Sequence, residues 1–303
     1  MIAVSVIIPT YRREAPLRRC VADVLAQRHP AFEVLVVDQS PEHEPETWAA
    51  LTALPPHARH VRLTEPSVTA AVNAGARLAA GPLLLFLDDD IEIADHDLLA
   101  RHARHYDDPT VAGVVGRIVH AERRADLPRP DATGPLGFLA MNFDHPHAMD
   151  VPTAAGANMS FRRELVERLG GFDERYTANA FRWETDFSLR VIRSGYRIRY
   201  DPEARVVHHY GTPGGCGNEH LLSRAPASHA WYATFFRNNV YFALKLLPGA
   251  DRARFLLRLY REHALNRTFA TAGPVFLARR HAALIRGTID GWRAWRQARP
   301  SDG

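Results

Sequence analysis

The chain has 303 residues, 46% apolar and 24% charged, the make-up of an ordinary globular protein of one large or two small domains. A net charge of +4 with no dense basic block argues against a nucleic-acid partner, while a phosphate-rich ligand or an anionic membrane surface would suit it. Two cysteines, Cys20 and Cys216, make no disulfide framework, which points to a reducing, cytoplasmic compartment.

The apolar opening MIAVSVIIPTYRRE lacks a basic leader and a small-residue cleavage site, so it reads as a strand, Val4–Ile8, ending at Pro9-Thr10. No apolar run reaches the length of a membrane-spanning helix. Helical spacing follows over Pro16–Gln27, then a second strand, Phe32–Val37, ending at Asp38-Gln39-Ser40. Pro45–Leu54 is a helix candidate and His60–Leu63 a short strand. Val68–Ala79 is an Ala-rich helix stopped by Gly81. Leu83–Leu87 then reads as a strand buried on both faces, cut off by Asp88-Asp89-Asp90. Three adjacent carboxylates there suit a hard divalent cation; the plainer reading is a cap and a solvated loop.

This strand–helix alternation predicts a mostly parallel sheet flanked by helices. Parallel strands bring their carboxyl ends to one edge, where open α/β sheets bind ligands. Thr10, Tyr11, Asp38 and Asp88–Asp90 should therefore meet in one crevice. The first strand lacks a Gly-x-Gly-x-x-Gly loop and a Walker-type lysine loop, which argues against dinucleotide and nucleoside-triphosphate folds.

His96–Tyr106 is expected to be helical and Val111–Val119 a strand, followed by a proline-interrupted connection, Glu122–Asp150, facing a partner. Thr153–Arg162 is small and polar: either a close approach for a ligand or a tight turn before the helix Glu164–Leu169. Phe181–Gly195 is helical from Trp183. Glu184 and Asp186 lie in its first turn and cannot share a face. Asp186 has Arg190 four residues on and is expected to pair with it, which leaves Glu184 as the free carboxylate, or merely a favourable acid at a helix start. Arg197–Tyr200 and Arg205–His208 read as two short strands. His208 and His209 must then point to opposite sides, so one of them faces a metal or phosphate. His209–Gly217 is glycine-rich, either an anion-closing loop or a plain exposed one. From Ala225 the chain is helical. Arg252–His263 and Phe276–Arg296 are amphipathic and basic, packing on their own domain or lying on an anionic membrane.

In order and spacing, VSVIIPTYRRE, EVLVVDQSP, NAGARLAAGPLLLFLDDD, GANMSFRRELVERLGGFDE, ETDFSLRVIRSGYRI and DPEARVVHH resemble the family 2 glycosyltransferases, inverting enzymes of the GT-A fold, over roughly Val4–Gly217. The resemblance implies a GT-A domain over 1–224, with a nucleotide-binding half (1–119) and an acceptor-binding half (120–224), and a helical extension over 225–303. It implies a nucleotide-diphosphate sugar donor, a Mg²⁺ or Mn²⁺ cofactor and a hydroxyl-bearing acceptor: a glycan, a lipid-linked glycan or a small molecule. Pro9, Thr10, Tyr11, Asp38, Asn73, Asp88 and Asp89 would hold the donor, and Asp90 and His208 the metal. Glu184 would be the catalytic base, with Asp186 second. Gly156, Ala157, Asn158 and Trp183 would face the acceptor. Two departures stand out: Val72-Asn73 replaces a frequent Arg-Asn, so a phosphate contact is lost or moved, and Asp38-Gln39 lacks the usual second carboxylate. A catalytically idle binding or assembly subunit would have lost acidic residues that are present here. A nucleotidyltransferase would want a better phosphate loop than Tyr11-Arg12-Arg13-Glu14.

Overall fold

The computed structural model describes residues 3–120, 136–209, 214–215, 228–263 and 273–298. Much of the Glu122–Asp150 connection and of the His209–Gly217 loop lies outside them.

The elements in chain order are β1 (Val4–Thr10), α1 (Ala15–Leu25), β2 (Phe32–Asp38), α2 (Pro45–Thr52), β3 (Ala58–Arg62), α3 (Val68–Leu78) and β4 (Leu83–Leu87). Then come β5 (Ile91–Glu92), α4 (Leu98–Ala103), β6 (Val111–His120), β7 (Met149–Asp150), β8 (Asn158–Arg162), α5 (Arg163–Arg168), α6 (Trp183–Arg193) and β9 (Arg197–His208). The C-terminal helices are α7 (His229–Leu246), α8 (Gly249–His263) and α9 (Pro274–Ala298). The strands form one sheet in the order β3-β2-β1-β4-β8-β6-β9-β5, with β7 paired to β9. β1, β2, β3, β4, β6 and β9 run one way; β5, β7 and β8 run against them.

Alternation along the central strands sorts their side chains into two cores. Ile7, Leu35, Val37, Leu84 and Phe86 face α3, α5 and α6. Val6, Ile8, Val34, Val36, Leu83, Leu85 and Leu87 face α1 and α4. Helix α3 starts where the Ser67 hydroxyl caps the Ala70 N–H at 3.3 Å. It lies close on the sheet because Gly75 has no side chain: a Cβ there would come 2.5 Å from Ile7 Cγ2. Tyr241, Phe242 and Phe255 from α7 and α8 belong to the same cluster as Phe161 and Phe172, so the C-terminal helices complete this core.

Two segments differ from expectation. Asn158–Arg162 is not a turn but β8, inserted antiparallel between β4 and β6. Its polar residues are satisfied inside the sheet: Asn158 Oδ1 meets His102 Nε2 at 2.9 Å, and Ser160 Oγ meets His102 Nδ1 at 2.9 Å and Tyr106 OH at 2.7 Å. The two strands expected over Arg197–Tyr200 and Arg205–His208 are one strand, β9. The Asp201-Pro202 signal marks a bulge in it, where the register against β6 jumps from Gly116↔Asp201 to Arg117↔Arg205.

Candidate active site

The carboxyl ends of β1 and β4 meet in a cleft of about 550 Å³, lined by Pro9, Thr10, Tyr11 and Asp88–Asp90 on one side and by Trp183 and Glu184 on the other. The parallel register of β1 and β4 sets Thr10 level with the Asp-rich segment, and the Thr10 hydroxyl donates to Asp89 Oδ2 at 2.6 Å. β9 delivers His208 to the same place: its Nε2 lies 2.9 Å from Asp90 Oδ1 and 3.6 Å from Asp88 Oδ2. Strand alternation sends His209 the other way, to Glu92 Oε2 at 3.2 Å.

Asp88, Asp90 and His208 each offer a ligand atom, and these atoms all lie within 4.8 Å of one another. Two carboxylates and an imidazole are a donor set that suits Mg²⁺ or Mn²⁺. The electrostatics agree with a site short of positive charge. Burial, helped by the neighbouring Asp90 charge, pushes both Asp88 and Asp89 above the usual carboxylate range. Burial opposes the charge on His208, yet the hydrogen bond it donates to the Asp90 carboxylate raises its pKa above the usual imidazole range.

Glu184 stands in the first turn of α6. The approach to it is strained: Ala178, Ala180 and Arg182 all have positive φ, at 51°, 45° and 81°. Trp183 is buried against Gly156, where a Cβ would come 2.9 Å from the indole, so this glycine lets the backbone pass and brings its N–H 3.4 Å from Glu184 Oε1. Burial raises Glu184 to about 7, and the Asp88 charge adds to it, against the hydrogen bonds from backbone N–H groups. Asp186 faces the protein instead: it pairs with Arg190 at 2.8 Å, accepts from Tyr176 OH at 3.0 Å and meets Lys245 at 2.6 Å.

Other expected site residues stand elsewhere. Asp38 is fully buried and does not line the cleft; its carboxylate accepts the Ser40 N–H at 2.8 Å and sits 2.8 Å from His60 and 3.1 Å from His43. Burial alone would raise it, but His60, Ser40 and His43 together hold it well below the usual range. Asn73 turns away to Phe172, giving 2.8 Å to its carbonyl and taking 2.8 Å from its N–H. Asn158 is locked inside the sheet, and Ala157 joins the core on the α1 side. Conversely, the cleft includes Arg13, Gln39, Ser67 and Arg182, which the sequence reading did not assign. Gln39 explains the missing second carboxylate: its amide donates to the carbonyls of Glu65 and Ser67 at 2.7 and 3.0 Å and fixes the cleft wall they form, which a carboxylate could not do.

The family model for Glycosyl transferase family 2 matches residues 5–170. The chain belongs to this family. Among family relatives, the O-antigen biosynthesis protein RfbC of Myxococcus xanthus is 33% identical over 68% of this chain, which spans 17% of that protein. The O-antigen chain rhamnosyltransferase RfbN of Salmonella typhimurium is 28% identical over 46% of this chain and 45% of its own length. The chain thus spans less than half the length of these curated relatives. Two solved structures share its fold. S. aureus TarS 1-349 in complex with UDP-GlcNAc has a TM-score of 0.65 at 19% identity, covering 97% of this chain and 81% of that one. The mannosyltransferase PcManGT of Pyrobaculum calidifontis in complex with GDP-Man and Mn²⁺ has a TM-score of 0.56 at 20% identity, covering 96% and 87%. The fold is GT-A, with a mostly parallel sheet and added C-terminal helices.

Proposed function

We propose that the chain is a divalent-cation-dependent, inverting glycosyltransferase, moving a sugar from a nucleotide-diphosphate donor to an acceptor hydroxyl in glycoconjugate synthesis. The observation that carries this reading is the sharing of one cleft by the Asp88–Asp90–His208 ligand set and Glu184. Glu184 has no ion pair among the described residues and is held at a proton affinity suited to a base near neutral pH.

Asp88, Asp90 and His208 would hold the cation, which when bound offsets the charge of the departing diphosphate. Thr10 fixes Asp89 beside this set, and Pro9 and Tyr11 shape the wall for the nucleotide. Glu184 takes the proton from the acceptor hydroxyl. That oxygen attacks the anomeric carbon from the face opposite the diphosphate, so the configuration inverts. Trp183 and Ala154–Ala155 wall the acceptor side and limit water.

Relatives named for O-antigen synthesis support a glycan or lipid-linked glycan as acceptor, and solved relatives holding GDP-Man or UDP-GlcNAc support the donor class. No helix among the described residues is long and apolar enough to cross a membrane. α9 nevertheless exposes Val275, Ile285, Ile289 and Trp292 beside Arg279, Arg286 and Arg293. This supports peripheral contact with the cytoplasmic face of an anionic membrane, where a lipid-linked acceptor would be met.

Calorimetric titration with UDP, GDP and dTDP, each with and without Mn²⁺, tests the donor site. Cation-dependent binding of one nucleotide is expected. A folded sample that binds none of them would overturn the reading.

A further inference from the structure

Arg13 is one of the cleft residues whose role the family reading leaves unassigned. It follows Arg12, whose φ of 53° turns the chain sharply at the end of β1. Its side chain is only 8% exposed, and its guanidinium lies 2.9 Å from Asp90 Oδ2 and 3.4 Å from Asp89 Oδ1. Asp90 is therefore held by a different group on each oxygen, His208 on Oδ1 and Arg13 on Oδ2. Gly215 makes room for this arrangement: a Cβ there would come 2.9 Å from Arg13 Nη2.

The guanidinium thus sits on a carboxylate that a divalent ion would also need. Two cations cannot both be close to one recessed carboxylate without strong repulsion. A donor diphosphate arriving with the ion brings negative charge beside the displaced guanidinium, and arginine is well suited to grip phosphate oxygens. Among the described residues, the other candidates for meeting that charge are committed elsewhere. Position 72 is a buried valine, and Asn73 is committed to Phe172. Arg182, the other arginine lining the cleft, donates to Asn239 at 2.9 Å and lies over the Phe138 and Phe255 rings.

We propose that Arg13 is an exchangeable counter-ion. It neutralises Asp89 and Asp90 while no divalent cation is bound, leaves Asp90 when one binds, and then pairs with the donor diphosphate. The inference rests on the cleft being the nucleotide-sugar site.

The test compares wild type, Arg13→Met, Arg13→Lys and Asp90→Ala at pH 8, where protons compete less for the carboxylates. Mn²⁺ alone is the first probe, read by the free-ion paramagnetic resonance signal and by the rise in melting temperature it causes. With its competitor removed, Arg13→Met should bind Mn²⁺ about tenfold tighter than wild type and show the larger melting rise, and Arg13→Lys should stay near wild type. In saturating Mn²⁺, the same Arg13→Met protein should bind UDP and GDP more weakly than wild type. Equal or weaker Mn²⁺ binding by folded Arg13→Met, with Asp90→Ala losing it, would overturn the exchange and leave the cation site standing. No Mn²⁺ binding by wild type or by Arg13→Met would overturn both. If Arg13→Met does not fold without Mn²⁺ but does fold with it, the counter-ion role is upheld. If it folds in neither condition, Arg13→Gln takes its place: Mn²⁺ binding about tenfold tighter than wild type supports exchange, and equal or weaker binding overturns it.

Discussion

The Lys245 ammonium on α7 lies 2.6 Å from a carboxylate oxygen of Asp186 on α6, two residues from Glu184, and 2.6 Å from Asp173. A C-terminal helix is thereby tied to the helix that carries the candidate base. Removing one partner of a buried pair costs roughly 3–5 kcal/mol. Arg190 remains on Asp186 and Lys245 is partly exposed, so Lys245→Met should cost less, about 2 kcal/mol. Denaturant unfolding of the full chain measures this, and wild-type stability would show that the tie contributes little.

Glu184→Gln keeps the shape of the side chain and removes its capacity to take a proton. Turnover should fall by roughly 10²–10⁴-fold, with calorimetric nucleotide binding preserved. Product formation at full activity in this variant would move the base elsewhere, although Asp186 is poorly placed to replace it, being enclosed by Arg190, Tyr176 and Lys245.

A base must be deprotonated to act, and Glu184 is raised to about 7 by burial. kcat/KM should therefore climb with pH up to about 7 and level off above it, falling about tenfold per pH unit on the acid side. Nearby cation charge would move the bend lower. The acid limb should vanish in Glu184→Gln; its persistence there would assign it to another group.

Asp90→Ala and His208→Ala each remove one member of the ligand set. Both should lose the Mn²⁺-dependent rise in melting temperature, and Glu184→Gln should keep it. Retention of the full rise in Asp90→Ala would remove Asp90 as a ligand.

His102 lies buried in the sheet between Asn158 and Ser160, and burial lowers it to about 4. The unfolded chain therefore takes up a proton between about pH 6.5 and 4 that the folded chain refuses. Stability from this group is intact above that window and is lost as pH falls through it, on the order of 3 kcal/mol in all. Urea midpoints from pH 7 to 4.5 report the slope, and His102→Gln should flatten it.

The sequence made the first half of the sheet readable because β1, β2 and β4 are largely apolar runs, interrupted only by Ser5 and Glu33, that end at polar residues. It also separated Glu184 from Asp186 through a four-residue ion-pair spacing that the structure shows. It did not reveal β8: Asn158–Arg162 alternates polar and apolar residues, but over only five positions, and Asn158 and Ser160 look like loop polarity until His102 and Tyr106 are placed beside them. Asp38 ends a strand as a ligand would, but the two histidines that enclose it, His43 and His60, are 17 residues apart in sequence and meet only in the fold. Arg13 went unassigned for the same reason, since its carboxylate partners lie in the turn after β4, more than 70 residues further on.

The position of β8 has a consequence for how the chain matures during synthesis. β4 and β6 are not paired with each other; β8, made later than both, joins them. Until residue 162 has left the ribosome, the Leu83–Leu87 edge has no neighbour on that side, and an open apolar edge is a template for pairing with other chains. The first 120 residues should therefore emerge as a sticky intermediate rather than a finished unit, and the cell's chaperones would meet this protein at that stage.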